Sequence, residues 1–242
     1  MPSKVRLYVD HPLAPGQTVP LSQAQANYLF AVMRLGPGAA VTVFNGRDGE
    51  WDGTVTTAGK RGGALTAAAR TRPLMLPPDL WFVFAPVKKA RTDFIVEKAV
   101  EMGVARILPV TSDHSNTERV NTDRLQAHAV EAAEQCGATF VPPVDPVQPL
   151  ARLLDHWPEG RDLWFCDEDM SEEASPGPAA SHVPLPSAIL IGPEGGFSPA
   201  ERRRLRHLTY ALPVRLGPRI LRADTAAVAA LALWQVSRGD WR

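Results

Sequence analysis

Little in this chain of 242 residues offers covalent or metallic cross-linking. Its two cysteines, Cys136 and Cys166, form neither a disulfide framework nor a thiolate metal spacing. Its six histidines show no metal-ligand spacing either, so they are read as structural or solvated and no metal is expected. No apolar run approaches the ~20 residues of a membrane span. The opening residues, Met-Pro-Ser-Lys-Val-Arg-Leu-Tyr, lack the apolar stretch of a signal peptide. A cytoplasmic protein with no membrane partner is the expectation. No internal repeat or heptad array is present. Net charge is zero, from 26 basic and 26 acidic residues, which argues against a protein that coats nucleic acid.

What is present is an ordinary globular composition, 45% hydrophobic and 21% charged, with enough apolar material for a sizeable core. The charge is unevenly spread. Residues 1–72 carry eight Lys/Arg against four Asp/Glu, and residues 73–242 carry eighteen against twenty-two. Such asymmetry is expected if a small N-terminal domain touches phosphate backbone; a solvated basic surface is the other reading.

Residues 5–9 alternate like a strand. Residues 22–35 carry a helical stripe, Ala26, Leu29, Phe30 and Met33, opened by Ser22 as N-cap. Short alternating runs at 40–45, 50–57 and 64–70, broken by Asn45-Gly46, Asp48-Gly49 and Gly62-Gly63, predict a small β-barrel. Pro73, Pro77 and Pro78 mark the boundary between a domain at 1–72 and another at 79–242. In the second, strands at 80–85, 105–110, 162–166, 188–192 and 212–216 alternate with helices at 89–102, 121–136, 147–155, 198–208 and 223–237. That order predicts an α/β domain with a mainly parallel sheet covered on both faces. The stretch 167–187 reads as a flexible surface loop.

The glycines fall in an unusual place. A dinucleotide-binding fold puts its glycine turn after the first strand. Here that turn is Phe84-Ala85-Pro86-Val87-Lys88-Lys89, without glycine, and no Gly-Lys-Ser/Thr phosphate loop exists. The glycine turns follow the last two strands instead: Ile-Leu-Ile-Gly-Pro-Glu-Gly-Gly-Phe-Ser at 189–198 and Leu-Gly-Pro-Arg-Ile-Leu-Arg-Ala-Asp-Thr-Ala at 216–226. Gly192, Gly195 and Gly196 suggest an exposed backbone whose N–H groups bind a ligand. Ile191, Leu216, Ile220 and Leu221, with main chain at Gly192, Gly196 and Gly217, supply a flat apolar slot. Glu194, Arg219, Arg222 and Asp224 put charge beside it. Each charge has a structural alternative: Glu194 as a helix cap, Arg219 and Arg222 paired with Asp224 and Glu194, Thr225 as an N-cap. Glu97 and Glu101, with Lys98, read as surface pairing or an inter-subunit contact. The cluster Glu201-Arg202-Arg203-Arg204-Leu205-Arg206 reads as a solvated helix face.

These two turns resemble those of the SPOUT methyltransferases, in particular the RsmE family, which methylates N3 of a uridine in 16S ribosomal RNA. The resemblance extends to Asp93–Val104, to Glu131–Gln135 and to the N-terminal strands with the helix at 28–34, which are similar to a PUA-like RNA-binding domain. It implies a C-terminal trefoil knot, a homodimer, 16S rRNA in the small ribosomal subunit as partner, and S-adenosyl-L-methionine held between the two turns. The cofactor residues implied are Ile191, Gly192, Gly195, Gly196, Leu216, Gly217, Ile220, Leu221, Thr225 and Ala226. Arg222, Glu194 and Arg219 are the implied catalytic residues. Arg6, Arg34, Lys88, Lys89, Arg91 and Gln135 are the candidate RNA contacts. The chain departs from the family where Ala223-Asp224 replaces Thr-Glu, keeping the charge, and where Gly137-Ala138-Thr139 lacks an arginine that would serve RNA. A methyltransferase of the same fold acting on another RNA base, or a non-catalytic RNA-binding protein, is the alternative.

Overall fold

Alternating small and β-branched residues build the N-terminal strands, and their inward positions make one apolar cluster around Val19, Leu29, Val43, Val55 and Leu65. The computed structural model describes residues 5–59, 61–115, 120–167 and 186–241. It divides into two units, residues 1–76 with 133–141, and residues 77–132 with 142–242.

The first unit contains β1 (Arg6–Tyr8), β2 (Thr18–Leu21), α1 (Gln23–Ala26), a π-helical segment (Asn27–Val32), β3 (Ala40–Phe44), β4 (Glu50–Gly59) and β5 (Gly62–Arg72). The strands form one sheet in the order β1-β3-β4-β5-β2, with β1 parallel to β3 and the other pairs antiparallel. Strand β2 escapes the sequence reading because Pro20 lies inside it. It is an edge strand paired only with β5, where a missing N–H costs no ladder bond. The helix expected at 22–35 begins as foreseen, with Ser22 and Gln25 forming a reciprocal capping box. It then widens to π geometry and ends by residue 33.

The second unit contains β6 (Leu80–Phe84), α2 (Lys89–Glu101), β7 (Arg106–Thr111), α3 (Thr122–Cys136, whose last turn groups with the first unit), β8 (Gln148–Pro149) and α4 (Leu150–Asp155). There follow β9 (Asp162–Cys166), β10 (Ser187–Ile191), α5 (Pro199–His207), β11 (Ala211–Val214) and α6 (Ala223–Arg238). Its six strands are parallel throughout, in the order β11-β9-β10-β6-β7-β8. Strand β10, Ser-Ala-Ile-Leu-Ile, is buried at every position, as a central parallel strand covered on both faces must be. Helix α6 packs against α2 and β10. Its buried Gln235 donates to the Met102 carbonyl at the end of α2 (2.6 Å) and accepts from the Asp240 N–H (3.0 Å). Most of the loop expected at 167–187 lies outside the described residues.

Among the described residues no helix is long and apolar enough to cross a membrane.

Candidate active site

In an open parallel sheet, ligands bind beyond the carboxyl ends of the strands, where neighbouring connections run in opposite directions. Strand β10 is inserted between β9 and β6, so the segments leaving β6, β9, β10 and β11 meet at one end. They line a cleft of about 560 Å³, a size suited to a small cofactor. Lys88 and Arg91 come from the β6 side, and Cys166 and Asp167 from β9. Ile191 to Glu194, Gly196 and Phe197 come from β10, and Val214 to Ala223 with Ala226 from β11 and α6.

Two glycines have backbone that only glycine adopts cheaply. Gly196 has φ +65° and Gly217 φ +107°, both in the left-handed half of conformational space. The Gly196 N–H, expected to face a ligand, instead donates to the Pro193 carbonyl (2.9 Å) and closes the first turn. That turn is tied down from β7. Ser198 caps α5 with Glu201 in a capping box, Ser198 Oγ donates to Asp113 Oδ2 (2.5 Å), and Asp113 N–H donates to Glu201 Oε1 (3.0 Å). His114 Nδ1 lies 3.0 Å from the Gly195 carbonyl. Nothing in the local sequence pattern links Asp113 and His114 to a turn some 80 residues later.

The floor of the cleft is apolar: Ile191, Phe197 and Val214 are buried, and Leu216 and Leu221 half-buried. Ile220 belongs to the rim, at 77% exposed. Burial also pushes the Cys166 thiol up to about 12, so it is neutral and weakly reactive at ordinary pH. Asp167, with a fully buried side chain, accepts from Arg202 (2.9 Å) and Arg206 (3.3 Å). Arg204 pairs with Asp155. Arg202 and Arg206 of the α5 cluster therefore anchor the end of β9, while Arg203 and Arg206 remain exposed as a solvated face would be.

The charges at the mouth pair differently from either expectation. Arg91 binds Glu194, and its Nε lies 3.8 Å from Asp224 Oδ2, so one guanidinium joins α2, the first turn and the start of α6. Arg91, a candidate RNA contact, thus lines the cleft while paired within the protein. This pairing leaves Arg219 and Arg222, with Arg215, which the sequence reading passed over, exposed around the cleft. None of the three side chains has a hydrogen-bond or ion-pair partner among the described residues. Arg222 is the N-cap residue of α6, and its carbonyl accepts from Ala226 (2.7 Å). Thr225 lies inside α6 rather than at its cap, and Thr225 and Gly195 do not line the cleft. Lys88 lines it and Lys89 is exposed outside it. Lys98 pairs with Glu101 (2.6 Å) as read from the sequence, while Glu97 lies 3.2 Å from His128.

In the first unit Arg6, a candidate RNA contact, is bonded within the protein. Its guanidinium donates to Glu50 (2.7 Å) and to the carbonyls of Ala133 (2.5 Å) and Ala138 (2.6 Å), with 14% of the side chain exposed. Arg34 and Gln135 are exposed. Among the described residues no cluster of His, Cys, Asp or Glu is arranged to hold a metal ion.

A family profile described as an RNA methyltransferase domain matches residues 75–235, well over half of the chain. The chain belongs to this RNA methyltransferase family. A second profile, an RNA methyltransferase PUA domain, matches residues 21–66. The chain is 27% identical over 230 residues to the Ribosomal RNA small subunit methyltransferase E of Rickettsia conorii, covering 94% of this chain and 93% of that one. It is 28% identical over 244 residues to the protein of the same name from Mycobacterium bovis, covering 97% and 92%. Among solved structures it is similar to the Neisseria gonorrhoeae Ribosomal RNA small subunit methyltransferase E bound to S-adenosyl methionine. There the TM-score is 0.86 at 28% identity, covering 98% of this chain and 99% of that one. A Legionella pneumophila putative methyltransferase with bound cofactor SAM aligns with TM-score 0.85 at 26% identity, covering 98% of each. The resemblance to the RsmE family of SPOUT methyltransferases is borne out.

Proposed function

We propose that this chain is an S-adenosylmethionine-dependent methyltransferase that modifies N3 of a uridine in the 16S RNA of the small ribosomal subunit. The observation that carries the reading is the cleft itself: an apolar floor between two glycine turns, rimmed by guanidinium groups with no partner among the described residues. Bound there, S-adenosylmethionine supplies an activated methyl group. Ile191, Leu216 and Leu221 offer its adenine a flat apolar surface, and the left-handed turn at Gly217 keeps the wall free of a side chain.

Every other demand falls on the chain. Uracil N3 carries a weakly acidic imide proton, and once it leaves, negative charge spreads over the flanking oxygens. A fixed cation at that position stabilises the anion without reorganising solvent. Arg222 is our first choice, because capping α6 fixes its backbone while its side chain stays free. Arg219 is placed to assist. Glu194 acts through Arg91 as a latch on the first turn. The target base must leave its stack to reach the cleft, so neighbouring RNA needs a grip elsewhere. Lys88 provides part of it, and the first unit, read as a closed PUA-like barrel, the rest.

The same reading makes the second unit a trefoil knot and the protein a cytoplasmic homodimer. Support for the dimer is the apolar surface on α2 and α6, where Phe94, Leu233 and Val236 are 40%, 39% and 61% exposed. Incubating purified protein with labelled S-adenosylmethionine and small-subunit RNA tests the activity. Label recovered as N3-methyluridine is expected, and RNA binding without methyl transfer favours the non-catalytic alternative.

A further inference from the structure

The second unit holds another cavity, of about 340 Å³, that shares no lining residue with the catalytic cleft. Its walls come from the starts of β6 and β7 and from the end of α4, whereas the cleft opens beyond the carboxyl ends of the strands. Trp81 and Arg106 are partners across the β6–β7 ladder, so their side chains share one face of the sheet. Leu108, two residues further along β7, falls on the same face. With Leu153 of α4 it makes an apolar floor, and both are buried.

Polar groups with unused capacity stand around that floor. The Arg106 guanidinium is fixed in one plane: Nε donates to Asp145 Oδ1 (3.0 Å) and Nη2 to Oδ2 (2.7 Å). Its central carbon stands 4.8 Å from the centroid of the Trp81 ring. The side chain nevertheless keeps 40% exposure, and Nη1 has no partner among the described residues. Arg152 and His156 are one helical turn apart and therefore stand on the same side of α4. The exposed Arg152 guanidinium and the half-buried Gln148 amide have no partner among the described residues. His156 Nδ1 lies 2.9 Å from the Arg152 carbonyl. A carbonyl only accepts, so Nδ1 donates and Nε2 is left for a ligand. Two guanidinium groups thus face a single carboxylate in the lining, and the excess cation belongs to Arg152.

Such groups suit an anion carried on a planar body. A guanidinium plane stacks a nucleobase, an amide bonds a base edge as donor and acceptor together, and an unpaired guanidinium takes a phosphate. The volume falls within the range of small-ligand sites. We propose that this cavity binds a nucleoside monophosphate, free or as one residue of an RNA strand. The base lies against Arg106 and Gln148, and the phosphate on Arg152 and His156. The site is separate from the cofactor cleft and does not depend on the methyltransferase reading.

The test is calorimetry with adenosine monophosphate on the full chain, its cleft already saturated with S-adenosylmethionine. One equivalent should bind, and adenosine, which lacks the phosphate, should bind about tenfold or more weakly. Arg152→Ala should weaken nucleotide binding about tenfold and Gln148→Leu several-fold, with Tm and S-adenosylmethionine affinity as in the wild type. A penta-adenylate strand that binds more tightly than the mononucleotide, with the same dependence on Arg152 and Gln148, identifies RNA as the source. Equal affinity identifies the free nucleotide. If Arg152→Ala lowers the Tm and leaves nucleotide affinity unchanged, the arginine only closes α4 and the proposal is overturned. It is overturned equally if S-adenosylmethionine abolishes the binding, which places the nucleotide in the cleft. Inorganic phosphate binding as tightly as the nucleotide, or no binding of either nucleotide or strand, also overturns it.

Discussion

Arg222 closes the second glycine turn and opens α6, so its backbone is held while its side chain meets no partner among the described residues. If it stabilises the uridine anion, Arg222→Ala should slow single-turnover methylation by two to three orders of magnitude, on the order of 3–4 kcal/mol of lost stabilisation. Affinity for S-adenosylmethionine, measured by calorimetry, should change little. Arg222→Lys should recover only part of the rate, because an ammonium lacks the planar pair of donors that matches a uracil edge. Joint loss of cofactor binding and rate would make Arg222 a cofactor residue instead. Cys166 carries a second expectation at this scale. Its folded pKa of about 12 lies above the ordinary thiol value of 9.0, so between those values the folded state holds a proton that the unfolded chain has lost. Its contribution to stability is thus complete below about pH 9 and lost as pH rises towards 12. At about pH 8 a thiol reagent should label exposed Cys136 readily and Cys166 at least about tenfold more slowly, with peptide mapping as the readout. Equal rates would contradict the raised pKa of Cys166, which is half-buried at the cleft.

At the scale of elements, the cleft depends on anchors that tie distant segments together. Asp167 at the end of β9 holds Arg202 and Arg206 of α5 with a carboxylate that is 0% exposed. Asp167→Asn keeps the shape and removes the buried charge that faces Arg202, a side chain at 19% exposure. A loss of about 2 kcal/mol is expected, reduced from the usual cost of breaking a buried pair because Arg206 is half solvated. In a protein of this size that lowers the Tm by roughly 4–8 °C, and an unchanged Tm would contradict the anchoring role. Such anchors are also what the sequence conceals. The two glycine turns were legible because strand-to-helix turns with left-handed backbone leave glycine behind, whereas the capping box of Ser198 and Glu201 went unread. The link from Arg91 to Glu194 spans 103 residues and has no periodicity to reveal it. Nor does the stripe Ala26, Leu29, Phe30 and Met33 distinguish α from π geometry, since its spacing suits an α-helix until the Met33 N–H selects the Tyr28 carbonyl. Pro20 hid β2 for a related reason: proline excludes an interior strand but is admitted at an edge.

For the whole molecule, the division of labour follows from which charges the fold leaves available. Guanidinium groups without a partner among the described residues surround the cleft of the second unit, and Arg34 marks the first. Arg6, Arg91 and most of the α5 cluster, by contrast, are engaged in holding the fold together. The homodimer proposed above would cover the apolar side chains that α6 leaves exposed, Leu233 and Val236. Sedimentation at micromolar concentration should give twice the 26.3 kDa of one chain, and Val236→Asp should return the monomer. A wild-type monomer would refute the assembly. The central claim, methylation of one uridine at N3, is tested most directly on RNA. Small-subunit ribosomal RNA from a strain lacking the gene would be digested and mapped by mass spectrometry, before and after incubation with purified protein and S-adenosylmethionine. The expected result is a single uridine that lacks the N3 methyl group in the mutant RNA and regains it in the reaction. A methyl group on another base or on ribose, or no difference at any uridine, would contradict it.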